Sequence, residues 1–126
     1  MKKNKGFTLA ELLIVVAIIA VLVAIAIPIF TAQLHESEVA TDIANVRAYY
    51  AEIQSDYITT RVKNPNVKDF HEDHDFDPYT LNFLNGNNIK LKAGVYYATL
   101  TDDDRGYQIV YSCNKNHSKH EYLFGN

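Results

Sequence analysis

The chain has 126 residues, 48% of them hydrophobic, with twelve Lys and Arg against fifteen Asp and Glu and a formal charge of −3. A chain of this length holds one small domain with a modest core, and its acidic balance argues against a protein that grips nucleic acid through a basic surface. A single cysteine, Cys113, excludes an internal disulfide.

Lys2, Lys3 and Lys5 open the chain, and from Leu12 to Ile27 no residue is polar. With Leu9, Ala10, Ile29 and Phe30 added, the apolar run is long enough to cross about 30 Å of hydrocarbon as a helix. The next fixed positive charge after it is Arg47, so the basic residues predict one span with its N-terminus in the cytoplasm and its C-terminus outside. Two residues do not suit a plain anchor. Glu11 puts a carboxylate in the apolar run, at a cost of roughly 2.5–3.5 kcal/mol at the centre of a span and less near its edge. Pro28 removes the helical hydrogen bond to the carbonyl of Ala24 and predicts a kink. The plainer account of Glu11 is that it snorkels to the interface. The plainer account of the whole segment is a secretory signal cut after Ala24-Ile25-Ala26, but Ile27-Pro28 is a poor sequence to follow such a cut.

After Phe30 the pattern turns amphipathic without a break. Leu34, Val39, Ile43, Val46, Tyr50, Ile53 and Tyr57 recur at spacings of mostly three and four, while Gln33, Glu36, Glu38, Asp42, Asn45, Arg47, Glu52 and Asp56 fall elsewhere on the wheel. No Gly or Pro interrupts residues 31–62, so the helix is predicted to run to about Thr59 and to stop ahead of Asn64-Pro65. Its apolar stripe is expected to pack on a sheet, and its polar face to meet solvent.

Residues 63–88 are polar and punctuated by Pro65, Pro78 and Gly86, which predicts a long connecting loop with a turn of helix around residues 79–84. Its densest charged patch is Asp69-Phe70-His71-Glu72-Asp73-His74-Asp75-Phe76-Asp77. Asp73, Asp75 and Asp77 alternate like the start of a calcium loop, but Pro78 stands where Gly is required and Leu84 where a bidentate Glu is required, which excludes an EF-hand. A solvated acidic loop is the favoured expectation. A looser cation site on Asp73, Asp75 and Asp77, or a zinc site drawing on His71 and His74 with His117 and His120, is the other.

The last third reads as strands. Residues 94–100 and 107–113 are rich in β-branched and aromatic types, and Asp102-Asp103-Asp104-Arg105-Gly106 between them has hairpin turn chemistry. Residues 121–124 supply a third strand, and residues 89–91 are assigned to the sheet edge. The fold class is α+β: a long N-terminal helix, membrane half and amphipathic half, packed on a small antiparallel sheet of three or four strands. Cys113 is expected as a small buried apolar residue. Most of the nine tyrosines are expected half-buried between helix and sheet. No nucleophile with an ordered base, no Cys/Cys metal framework and no glycine-rich phosphate loop is present, so the chain does not read as an enzyme and no cofactor is implied.

Gly6-Phe7-Thr8-Leu9-Ala10-Glu11, followed by an unbroken apolar helix, resembles the class III signal of type IV pilins and pseudopilins. The resemblance covers about the first third of the chain closely, and the rest by general architecture. It implies cleavage between Gly6 and Phe7 by a membrane peptidase that also methylates the new Phe7 amine. The chain then divides into a leader, residues 1–6, a membrane and filament-core helix, residues 7–30, and the amphipathic helix with the sheet domain, residues 31–126. Losing Lys2, Lys3 and Lys5 leaves nine basic residues against fifteen acidic, a net charge of −6.

Counted from Phe7, Glu11 is fifth and Pro28 twenty-second, both places where pilins carry these residue types. The new amine at a helix N-terminus needs an anion, and Glu11 supplies it within its own chain or to Phe7 of the next subunit, with Thr8 beside it in the assembly end. The resemblance implies a homo-oligomeric helical filament with other pilins as neighbours. It implies as partners the prepilin peptidase and methylase, a platform protein and an assembly ATPase, with no direct contact to nucleic acid. The product is a cell-surface pilus or, in the alternative, the pseudopilus of a type II secretion or DNA-uptake (competence) apparatus. Many pilins have a helix-weakening Gly where this chain has Ala20, and many close their C-terminal loop with a disulfide that one cysteine cannot make. A rival from another class is a membrane-tethered binding protein whose acidic, His-rich loop captures a metal or ligand.

Overall fold

The computed structural model of the chain describes residues 6–115 and 120–125. Its first element is one helix, α1, Leu9–Thr60, 52 residues long. Five strands follow: β1 (Thr80–Asn82), β2 (Asn88–Lys90), β3 (Gly94–Leu100), β4 (Tyr107–Cys113) and β5 (Glu121–Phe124). The chain divides into two compact units, Met1–His35 and Glu36–Asn126.

Among the described residues of the first unit, only residues 6–8 lie outside the helix. Its large apolar side chains from Leu9 to Phe30 are all exposed, none below the 44% of Val23. The helix is long and apolar enough to cross a membrane. A helix keeps its backbone bonds within itself, here all but the Ala24 carbonyl's bond that Pro28 removes, which is what hydrocarbon demands.

In the second unit the amphipathic part of α1 buries Val39, Val46, Tyr49, Ile53 and Tyr57 in a cluster with Leu81, Tyr96, Ala98, Tyr107, Ile109 and Tyr111. The stripe departs from its predicted phase. Tyr49 is 1% exposed while Tyr50 is only half-buried, and Asp42, placed by sequence on the polar face, is fully buried. The buried line runs 39, 42, 46, 49, 53, 57. An acidic residue holds its second place, so a search for apolar side chains alone slips one position, to Ile43 and Tyr50.

Burying Asp42 is tolerable because three donors meet its carboxylate. The N–H groups of Lys92 and Ala93 donate to it at 2.8 and 2.7 Å, and the Tyr111 hydroxyl at 2.9 Å. Charge-assisted bonds of this kind offset the desolvation that an unpaired carboxylate would suffer. Two more polar side chains of α1 reach across in the same way. Glu52 accepts the Leu84 N–H at 2.9 Å. Gln54 accepts the Tyr107 N–H at 2.8 Å and donates to the Arg105 carbonyl at 2.7 Å. Gly106, at φ +102, leaves room for that amide, which a Cβ would strike.

The sheet is built as predicted in its larger part. β3 and β4 pair antiparallel from Gly94↔Cys113 to Leu100↔Tyr107, and β5 joins β4 through Ile109↔Phe124 and Ser112↔Glu121. Burial alternates along β4, with Tyr107, Ile109, Tyr111 and Cys113 inward, which is the period of a strand with one face on a core. Cys113 is a free, buried thiol. Two expectations are corrected. Residues 89–91 do not edge this sheet, because β2 pairs with β1 in a separate two-stranded ribbon, Thr80↔Lys90 to Asn82↔Asn88. The turn of helix expected at residues 79–84 is therefore strand β1, closed by a turn in which the Gly86 N–H donates to the Phe83 carbonyl at 3.0 Å.

The tyrosines are also deeper than expected. Tyr49, Tyr57, Tyr96, Tyr107 and Tyr111 are each at most 5% exposed, and edge-to-face contacts join Tyr49 to Tyr96 and Tyr57 to Tyr107, both at 5.8 Å. α1 ends one residue beyond the predicted Thr59. Arg61, at φ +58, adopts the left-handed conformation that closes helices, and its N–H donates to the Tyr57 carbonyl at 2.7 Å.

Candidate functional site: the N-terminal end of α1

Gly6, Phe7 and Thr8 precede the helix and are exposed, with the Phe7 side chain 83% open. A Cβ on Gly6 would meet nothing within 4 Å. The lysines of the expected leader, Lys2, Lys3 and Lys5, lie outside the described residues.

Thr8 and Glu11 are joined reciprocally. The Thr8 N–H donates to Glu11 Oε2 at 3.0 Å, and the Glu11 N–H donates to Thr8 Oγ1 at 3.2 Å. The Leu12 N–H donates to the Thr8 carbonyl at 3.1 Å, the first turn of the helix. This is a capping box, in which a Thr at the N-cap and a Glu three residues on each satisfy an orphan donor of the other. It gives Glu11 a structural task that the sequence reading passed over, although Thr-x-x-Glu before an apolar run is its signature. A carboxylate in the first turn also lies against the positive end of the helix dipole.

Pro28 lies inside α1, and the helix continues through it. Three residues on, the Thr31 hydroxyl donates to the Ile27 carbonyl at 2.9 Å, turning one of the few polar groups nearby back onto the backbone.

The second candidate region, the charged loop, is not left to solvent throughout. Asp69 is 3% exposed; its carboxylate accepts the His71 N–H and the Leu100 N–H, both at 2.8 Å, so it ties the loop to the end of β3. The three alternating aspartates serve different partners. Asp73 accepts the Asp69 N–H at 2.7 Å, Asp75 takes both bonds of Lys68 at 3.0 and 3.1 Å, and Asp77 accepts the Tyr79 N–H at 2.9 Å. The Lys68 ammonium holds the Asp75 carboxyl below its usual range, and Glu72 holds the Lys63 ammonium above its own. Among the described residues, no group of three metal-ligating side chains contains His71, His74 or any of these aspartates. His117 lies outside the described residues, and His120 is buried beside Glu36, Nε2 to Oε2 at 3.2 Å.

Fold and site together define a class: an α+β chain with a bare apolar helix that opens on a capped Gly-Phe-Thr junction. The family described as "Prokaryotic N-terminal methylation motif" matches residues 1–27. Two fimbrial proteins of Pseudomonas aeruginosa are each 39% identical over 83 residues, 64% of this chain and 54% of theirs. The type IV narrow pilus major component PilA5 of Thermus thermophilus is 52% identical over 52 residues, 39% of this chain and 45% of its own. The chain spans about half the length of these curated relatives. No solved structure matches it. By its motif and these relatives the chain resembles the type IV pilins, with the methylation motif confined to its first 27 residues.

Proposed function

We propose that the chain is a structural, non-enzymatic subunit of a type IV pilus-like filament, cut after Gly6 and methylated at Phe7. The observation that carries this is the exposed Gly6-Phe7 junction set directly before the Thr8–Glu11 capping box, at the head of a helix whose apolar side chains have no cover of their own. That helix is stable in lipid or among copies of itself, and hydrocarbon burial favours either over water. Before assembly the chain sits in the plasma membrane with its N-terminus in the cytoplasm and its sheet unit outside.

Cleavage creates a cationic amine at Phe7, and Glu11 is the acid that answers it, within its own chain or in the next subunit. In a low dielectric an unmatched charge is far costlier than a matched one, so the pair sets the register in which a subunit joins. Pro28 kinks the helix as it packs. Head-to-tail contacts that do not close produce a fibre. The partners are further pilins, the peptidase and methylase, a platform protein and an ATPase. The relatives that bear pilus and fimbrial names favour a surface pilus over a secretion piston.

Mass spectrometry of the protein recovered from membranes and sheared fibres tests the processing. A mature chain that starts at a methylated Phe7 is expected. A retained Met1, or a start at Ile27, overturns it.

A further inference from the structure

The outward face of the three-stranded sheet carries a groove of about 410 Å³, within the size range of small-ligand sites. One wall is loop. The Phe70 N–H donates to the Ala98 carbonyl at 2.8 Å, and Asp69 pins the same segment through the Leu100 N–H. Phe70 and His71 are thereby fixed along the β3 edge. The Phe70 and Tyr97 rings meet edge to face at 4.7 Å, and Phe70 also contacts Phe76 at 5.8 Å, which in turn packs on the core residue Tyr96 at 5.2 Å. The aromatic wall is therefore braced, yet Phe70 remains 47% and Tyr97 36% exposed.

The floor presents Gln108 and Ser112 from β4, and Glu121 of β5 stands on the far side. Among the described residues, Glu121 is the one lining residue with a fixed charge. It pairs with Ser112, which is itself opposite Val95, so it stands two strands across and two residues along from Tyr97; at about 4.8 Å per strand and 3.4 Å per residue their backbones lie roughly 12 Å apart.

We propose that this groove binds a basic peptide segment, an aromatic or aliphatic side chain of which rests on Phe70 and Tyr97 while a lysine ammonium reaches Glu121. Charge complementarity selects the occupant. A carboxylate in a groove that also exposes two aromatic rings suits a cation with an apolar neighbour and repels an acidic one. The chain beyond the expected leader carries a net charge of −6, which steers basic partners towards it. Gln108 and Ser112 supply hydrogen bonds to the peptide backbone between the two ends.

The test is a titration of the full-length protein in detergent micelles, followed by the backbone amide signals of Tyr97, Gln108 and Ser112. The probes are the peptide acetyl-Phe-Gly-Lys-amide and the same peptide acetylated on its lysine, which removes the charge. Saturable shifts confined to the groove are expected for the first, with affinity roughly two- to fivefold lower for the acetylated form and for Glu121→Gln, the size of an exposed ion pair or cation–π contact. Phe70→Ala, at an exposed position, should lower it about tenfold. Equal binding of the two peptides, shifts that do not saturate, or unchanged affinity in Phe70→Ala overturns the proposal.

Discussion

Two regions of this chain treat their apolar residues in opposite ways. In the second unit Tyr49, Ile53, Ile109 and Tyr111 are covered by one another, down to 1% exposure or less. In the first, Ile18, Val21, Leu22 and Ile25 all stay above half exposed. Hydrophobicity alone therefore does not say where a core will be. The sheet unit completes its own burial, whereas the apolar helix finds no cover among the described residues. Stability of the one is intramolecular, and in the proposed function stability of the other depends on lipid and partner.

The largest effect expected from breaking this division is on assembly. Glu11→Gln preserves the capping box, since Gln serves at that position as well as Glu, but removes the charge. It should leave membrane insertion intact and reduce filament incorporation to near zero, measured by immunoblotting of sheared fibres against membranes. Wild-type incorporation of that variant would show that Glu11 acts only as a cap.

Next, Tyr49→Ala should cost the sheet unit about 3–5 kcal/mol, while Ile18→Ala should leave its unfolding midpoint unchanged. Thermal unfolding of the full-length protein in detergent, followed by near-ultraviolet circular dichroism, compares the two. A shared loss of stability would contradict the separation of the units. Asp42→Ala strands two backbone N–H groups and the Tyr111 hydroxyl, a cost of about 3 kcal/mol, and the same measurement applies.

The alkaline limb sharpens the contrast further. Burial pushes the Tyr96 hydroxyl up from 10.0 to about 12, and those of Tyr49, Tyr107 and Tyr111 upward as well, with the Asp42 carboxylate adding to the rise at Tyr111. A raised folded value means that the neutral hydroxyl is favoured in the native state. The stability is fully present below pH 10 and is lost as pH climbs towards 12 and beyond. The sheet unit should therefore unfold in that window with a cooperative rise in tyrosinate absorbance. The first unit has no tyrosine and should keep its helical circular dichroism. The smallest effect is expected for Thr8→Ala, about 1 kcal/mol from the loss of an N-cap, read as fraying of the first turn by amide exchange.

Much of this was legible in the sequence, for reasons that differ by element. β3 and β4 announced themselves because alternating β-branched and aromatic residues flank a Gly-containing acidic turn, and both the signal and the constraint are local. The helix was legible because nothing in residues 31–62 breaks it. The phase of its buried stripe was not, since Asp42 enters the core only by virtue of the Lys92 and Ala93 amides, fifty residues away in the chain. The ribbon of β1 and β2 was missed for a similar reason. Three residues such as Thr80-Leu81-Asn82 carry too little pattern, and their identity as a strand lies in the pairing with Asn88–Lys90. At the N-terminal end of α1 the Thr8–Glu11 exchange was not read, because it was overshadowed by the charge of Glu11.

That exchange has a consequence for timing. The amide of Thr8 occupies Oε2 alone, and a carboxylate offers a second oxygen. Under the proposed assembly, a cation reaching Glu11 meets that second oxygen while the first turn of the helix still holds, so keeping shape and making contact do not compete.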